Sequence, residues 1–439
     1  MNMMEIAFPI IVGLIFLEMI LGWIQHRPYY RVNDTVAGIS TGIMFMLVGV
    51  PTLFGALIVY DWIETNFSLF TLFDWQAIPF DDPLVFASEF PYVHINAVPF
   101  LYWVFVIFAV DFLYYWFHRL SHEVNFLWGS HVTHHSSEQF NLAVSFRGGS
   151  FQRVFEYAFF LPLAFLGINW FMFLFAHRVL KLYQFWVHTA AVPELGFLEY
   201  FMVTPSNHRV HHGRNPQYID KNHGGIFIIW DRMFGTYEPE REKINYGITN
   251  QLTSFNPLWM TFHYYAELWQ QTLATRSWKN KFKVWFARPG WKPADLGSSE
   301  IVYSDPARPD YDPPLPKRVK IYGIFQFFFL SASGLLAYSL AHDSAFGIFR
   351  LLILIGFTVY GLTVVGGILD SKAWTFPAEM LRLVLLPLAA FLIHLNGFLK
   401  VDLLLGLVVY SAVSLVWLTL LRKAFTGEDD SPEAPVAAA

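Results

Sequence analysis

Eight of the sixteen histidines fall into three tight clusters, His118-Arg-Leu-Ser-His122, His131-Val-Thr-His134-His135 and His208-Arg-Val-His211-His212. On a helix of ~3.6 residues per turn His118 and His122 share a face. His131, His134 and His135 fall within a sector of ~100°, as do His208, His211 and His212, so each cluster can aim several imidazoles at one point. At the chain's own histidine frequency these positions would coincide by chance with probability roughly 10⁻¹¹ per register, which sets coincidence aside. Imidazole serves iron, copper, zinc and nickel alike, so ligand type does not choose the metal. Ligand number says more: a zinc ion takes three or four donors, so eight neutral imidazoles imply two metals. The His-Glu-x-x-His pattern of zinc hydrolases is absent, and no Walker, Rossmann or kinase motif stands out. Iron with dioxygen is the natural reading: two irons at a bilayer surface can activate O₂ for attack on an unactivated C–H bond of a lipid, which side chains alone cannot do.

The elements that must position these histidines are membrane helices. The chain has 439 residues, of which 55% are hydrophobic and only 14% charged, with a mean hydropathy of +0.40; soluble domains carry about 25% charge. Apolar runs at about 5–24, 36–60, 98–117, 319–341, 346–369, 379–396 and 399–421 are long enough, or nearly so, to cross a hydrocarbon core of ~30 Å. Residues 151–190 are also apolar but carry Pro162, Gly167 and Asn169, and read as a helical hairpin, re-entrant or spanning. The first run is longer than a signal-peptide core and has no cleavage pattern after it, so it is expected to stay as an anchor. There is no cysteine, which excludes thiolate metal sites, iron–sulfur clusters and a Cys nucleophile in this chain. The formal charge of −5 is unremarkable and gives no sign of a polyanionic partner, and no nucleic acid is expected.

Charge asymmetry sets the expected topology. Arg27 and Arg31 follow the first run, whereas 61–98 carries Asp61, Glu64, Asp74, Asp81, Asp82 and Glu89 with no Lys or Arg, which places that loop outside. The third run then returns inward and ends directly before His118, and residues 204–318 hold 15 of the 29 Lys and Arg residues. The expected fold is an all-α multipass membrane protein, a helical transmembrane bundle with a histidine-rich di-iron site on the cytoplasmic face. The membrane would be the cell inner membrane of a bacterium or the endoplasmic reticulum of a eukaryote. Its expected regions are 1–97, transmembrane helices with an outer loop; 98–240, the catalytic region; 241–318, a cytoplasmic interfacial cap; 319–423, further transmembrane helices; and 424–439, a disordered Pro/Ala/acid-rich tail. Ser206 and Asn207 before His208, with Gly213 after His212, look like an N-cap and a C-terminal glycine. Residues 255–291 interleave aromatics with Lys and Arg, as an interfacial helix or an amphipathic cover would.

HxxxH, HxxHH and a distant second HxxHH resemble the fatty acid hydroxylase and sterol desaturase superfamily of membrane di-iron proteins. The stretches Asp111-FLYYWFHRLSHEVNFLWGSHVTHHSSEQFNLA, Leu182-YQFWVHT and Thr204-PSNHRVHHGRNPQYIDKNHGGIFIIWDRMFGTYEPE are most similar to its tetrahydrobiopterin-dependent, ether-lipid-cleaving members. The likeness is strong over roughly 100–240, and the C-terminal third matches in layout only. It implies that His118, His122, His131, His134, His135, His208, His211 and His212 are iron ligands, and that Glu123 matches a functionally important acidic position. Some members carry a further histidine pair midway. Here only His188 is present, with Gln184 four residues before it, so His188 is either a ninth ligand or structural. Asp111, seven residues before His118 on the same face, is expected either to orient an imidazole or to lie near the interface. His223 stands where such proteins usually have Tyr and is not counted as a ligand. His26, His94, His177, His263, His342 and His394 are expected to be structural or interfacial.

The resemblance further implies hydroxylation of the ether-bonded alkyl carbon, after which the hemiacetal collapses to a fatty aldehyde and a glycerol derivative. Two electrons must be supplied, and no flavin-, haem- or cytochrome-like segment is evident, so the donor is a reduced pterin or a separate redox protein. The alternative enzyme is a hydroxylase or desaturase of sterols, acyl chains or carotenoids fed by a ferredoxin or cytochrome. A histidine-based metal transporter or sensor is disfavoured, because transport sites lie near the bilayer midplane.

Overall fold

The computed structural model describes residues 3–72, 97–297, 305–341 and 346–426. Most of the acidic 61–98 segment, with His94, then His342 and the tail from Gly427 lie outside the described residues. Among the described residues there are helices and no strand, only two isolated antiparallel bridges, Met202 with Phe227 and Gly213 with Tyr246. The longer helices are α1 (Met3–Ile24), α2 (Val32–Phe67), α3 (Ala97–Glu123), α4 (Asn125–His135), α5 (Gln152–Phe165), α6 (Trp170–Trp186), α7 (Pro205–His211), α8 (Ile229–Phe234), α9 (Pro257–Ala274), α10 (Trp278–Phe286), α11 (Lys317–Leu340), α12 (Ile348–Leu369), α13 (Thr375–Leu395) and α14 (Val401–Leu420).

Six of these, α2, α3 and α11 to α14, are long and apolar enough to cross a membrane, so the chain is a multipass membrane protein. The first run forms α1, whose described apolar stretch, Ile10–Ile24, is shorter. The expected hairpin forms as α5 and α6. Pro162 stays inside α5, and the turn is made instead by Gly167, at φ 76°, and by Asn169, whose side chain accepts from Phe171 N at 2.9 Å.

The chain divides into two compact units that are not consecutive in sequence: Met1–Arg31, Val48–Gln251 and Tyr264–Arg308 make one, and Val32–Leu47, Leu252–His263 and Pro309–Ala439 the other. In the first, α3 is the axis. Val106, Val110, Tyr114 and Phe117 recur at helical spacing and pack with Phe160 and Leu163 of α5 and Phe173 and Leu180 of α6. Phe100, Leu101 and Phe105 face outward, as lipid-facing side chains do.

The second unit is built on α11 to α14, whose short connections make consecutive helices antiparallel neighbours. Gly361 lets Leu330 approach where a Cβ would come within 2.3 Å of it. Inside this bundle Arg382 and Glu379 form a fully buried ion pair at 2.7 Å, joined by Tyr322 to Glu379 at 2.7 Å and by Arg382 to Gln326 at 2.5 Å. Charges buried this deeply persist only when paired and hydrogen-bonded.

Candidate metal centre

Three short pieces of chain bring the histidines to one place, all within the first unit. Helix α3 runs through the end of its apolar segment to Glu123, so His118 and His122 project from the same buried face as Tyr114. The chain then breaks at Val124 (φ −123°, ψ 119°) and restarts as α4. Asn125 fixes that restart: its amide donates to Ala287 O at 2.9 Å, its side chain to Val284 O at 2.7 Å, and Tyr264 OH donates to it at 2.6 Å. The third motif is the expected short helix, α7, but its N-cap is Thr204. Thr204 and Asn207 form a reciprocal capping box with Pro205 at the first helical position. Asn207 is therefore the third residue of the helix rather than its cap. Gly213 has no positive φ; it pairs with Tyr246 in an isolated bridge.

Nine buried or half-buried imidazoles converge in two groups. His118, His122, His131, His135 and His211 form one, and His134, His188, His208 and His212 the other, with donor atoms in each group within 4.8 Å of one another. The groups cut across the sequence motifs. His131 and His135, four apart, serve the first group while His134 turns to the second; His208 and His212 serve the second while His211 turns to the first. Helices α4 and α7 thus straddle both groups, whereas both histidines of α3 serve the first, so the two HxxHH motifs do not each aim at a single point. His188 joins the second group, its Nε2 lying 2.9 Å from His208 Nε2 and 3.2 Å from His134 Nε2.

Tautomers show what the groups lack. His118 Nδ1 faces His223 O at 2.8 Å, His134 Nδ1 faces Arg147 O at 2.8 Å, His188 Nδ1 faces Gln184 O at 2.6 Å and His211 Nδ1 faces Lys221 O at 2.8 Å. A carbonyl can only accept, so these rings carry their proton on Nδ1 and turn a bare lone pair inward at Nε2. The lone pairs of His134 and His188 then confront each other. Protonation cannot relieve them, because burial above all, and then neighbouring charged groups, hold His134, His188 and His211 at about 3. The Nε2 atoms of His122, His211 and His212 are likewise buried without a partner. A cation in each group resolves all of these contacts, and orientation of a ligating imidazole by a carbonyl on its far nitrogen is the usual outer support of a metal site. The donor set is all imidazole, which suits iron.

The flanking carboxylates lie elsewhere than expected. Asp111 touches no imidazole. It is fully buried and accepts from Ile226 N at 2.6 Å, Phe227 N at 3.1 Å and Trp230 Nε1 at 2.8 Å, holding the loop beyond the third motif against α3. Gly225 permits that approach, since a Cβ there would lie 2.6 Å from Asp111 Oδ1. The carboxylate that does face an imidazole is Asp220, 3.6 Å from His122 Nδ1. Its partner lies 98 positions away in the sequence, which hid it. Glu123 points away from the imidazoles, at 3.0 Å from Arg119 and 3.8 Å from Arg288, and is partly exposed. Glu18 of α1 was also invisible in the sequence: it is buried and accepts from Tyr30, from Thr189, next to His188, and from Leu142 N at 2.8 Å. His177 pairs with Glu156 at 3.0 Å, outside both groups.

With this geometry in hand, the comparisons are specific. The fatty acid hydroxylase family matches residues 103–236, which contain all nine converging histidines. Fold and site together define a membrane lipid monooxygenase, an oxidoreductase. The chain is 36% identical over 400 residues to the alkylglycerol monooxygenase of Danio rerio, covering 90% of this chain and 82% of that protein. It is 36% identical over 383 residues to the human alkylglycerol monooxygenase, covering 86% and 80%. A more limited match, 30% over 138 residues, covers 31% of this chain and 42% of the ornithine lipid hydroxylase OlsE of Rhizobium tropici. No solved structure matches. The chain belongs to the alkylglycerol monooxygenase family.

Proposed function

We propose that this chain hydroxylates the ether-bonded alkyl carbon of glycerol ether lipids, with two irons in its histidine groups and a reduced pterin as electron donor. One oxygen atom of O₂ enters the C–H bond and the other leaves as water, the pterin giving two electrons. The hemiacetal then loses its alkoxy group to yield a fatty aldehyde and the glycerol derivative. The observation that carries this reading is the coincidence of two imidazole groups holding unpaired lone pairs with likeness to alkylglycerol monooxygenases along most of the chain. When bound, the irons supply the activation of O₂ that no side chain provides.

The protein's own residues bind, orient and keep the site dry. Trp128 packs on His122 and His135, Phe140 on His188 and His212, and Tyr114 on His118, with ring centroids between 5.0 and 5.8 Å apart. The apolar walls of α3, α5 and α6 would hold the alkyl tail, and the aromatic and basic helices α9 and α10 would hold the headgroup at the interface. Glu123, the acidic residue beside the cluster, would accept from the amino-pyrimidinone edge of the pterin. The charge pattern favours a site on the cytoplasmic side.

Incubating iron-loaded protein with an alkylglycerol, O₂ and tetrahydrobiopterin should release fatty aldehyde. No aldehyde with pterin, but oxidation of a sterol or acyl lipid once a ferredoxin and its reductase are added, would replace this reading. Glu123→Gln should raise the KM for the pterin severalfold with iron content unchanged; an unaltered KM would make Glu123 a surface ion-pair partner.

A further inference from the structure

The residue that the metal groups leave out is His223. Its ring is fully buried and stands 5.0 Å, 5.6 Å and 5.7 Å, centroid to centroid, from His122, His211 and His118 of the five-histidine group. It does not belong to that group, whose donor atoms all lie within 4.8 Å of one another. Neither of its ring nitrogens makes a hydrogen bond of normal geometry. A neutral imidazole carries one donor and one acceptor, and burying both unspent is unfavourable unless something fills them.

The backbone around this ring is fixed on every side. Asp220 and Asn222 take left-handed conformations, at φ 56° and 54°, which Asp and Asn adopt more readily than other non-glycine residues and which turn the chain sharply here. Asn222 is tied by its side chain to Asn207 O at 3.1 Å and Glu238 O at 2.7 Å. Asp231 grips the next two amides, His223 N and Gly224 N, both at 2.7 Å. The carbonyl of His223 accepts from the ring of His118. A segment this constrained aims the His223 ring at the rim of the five-histidine group, where the Asp220 backbone carbonyl comes near one ring nitrogen and the other has no hydrogen-bond partner.

We propose that His223 is a catalytic residue that hydrogen-bonds the small exogenous molecule bound at the five-histidine metal, of the class of dioxygen or a linear triatomic anion, without ligating the metal itself. An iron held by these five imidazoles would have to admit the small molecule it reacts with, and a ring placed just outside the donor set is positioned to reach that molecule. The inference rests on the two-metal reading of the site, not on the identity of the lipid.

Azide tests it, as a stand-in for the exogenous molecule. In protein loaded with two irons, azide titration should give a saturable azide-to-iron absorption band. His223→Phe and His223→Leu should keep two irons per chain and weaken azide about tenfold, one hydrogen bond's worth. His223→Gln, which keeps a donor and an acceptor, should restore most of the affinity. Loss of one iron in the Phe and Leu variants would make His223 a metal ligand and overturn the proposal. Wild-type affinity in either, or no azide binding by the wild type, would overturn it as well. Fewer than two irons in the wild type would strike at the two-metal reading instead.

Discussion

At the scale of the residue, the deciding feature is where each imidazole keeps its proton. His134 and His188 both give Nδ1–H to a carbonyl and face each other with lone pairs 3.2 Å apart, a contact that only a cation makes favourable. Replacing His188 by Ala should lower iron from about two per chain to about one and abolish turnover, as His134→Ala should. Elemental analysis decides: full iron content in His188→Ala would return that residue to a structural role. The same tautomers give a pH dependence in the metal-free protein. His134, His188 and His211 are held at about 3 in the fold, against ~6.5 in an unfolded chain. Between those values the unfolded chain binds more protons, so stability is lost as pH falls through ~6.5 toward ~3. The melting temperature of metal-free protein should therefore drop from pH 7.5 to 5.5, and iron should resist that drop until protons displace it.

At the scale of the element, the site depends on short segments held by polar contacts. Asp111 satisfies two backbone amides and one indole N–H of the loop beyond the third motif. Asp111→Leu strands one buried and two part-buried donors and should cost about 3 kcal/mol, seen as a lower melting temperature; Asp111→Asn should cost less. Thr204→Ala removes the cap of α7 and should cost about 1 kcal/mol. How much of this was legible follows from range. Spacing revealed the ligands because i, i+3 and i, i+4 relations are local, and apolar length revealed the spans. The partition of the two HxxHH motifs between the groups was not legible, since it depends on how α3, α4 and α7 pack. The contacts of Asp111, the approach of Asp220 to His122 and the reach of Glu18 to Thr189 join residues 98 to 171 positions apart, beyond any periodicity. The cap was misplaced by two to three residues because Ser206 and Asn207 are themselves good capping residues, and only the reciprocal bonds of Thr204 and Asn207 single out Thr204.

At the scale of the whole molecule, apolar helices fix a multipass membrane protein and basic residues suggest its orientation. Helix α10 exposes Trp278, Phe282 and Phe286 among Lys279, Lys281 and Lys283, a pattern suited to the headgroup layer. Because the chain has no cysteine, Lys279→Cys gives a single label site. It should resist a membrane-impermeant maleimide in intact cells and react once the membrane is opened; labelling in intact cells would invert the topology. The central claim concerns chemistry, and isotopes test it most directly. Iron-loaded protein given an alkylglycerol, tetrahydrobiopterin and ¹⁸O₂ should release fatty aldehyde that, trapped at once by reduction to the alcohol, carries one ¹⁸O atom. Unlabelled product, or label arriving from H₂¹⁸O instead, would contradict oxygen insertion at the ether carbon.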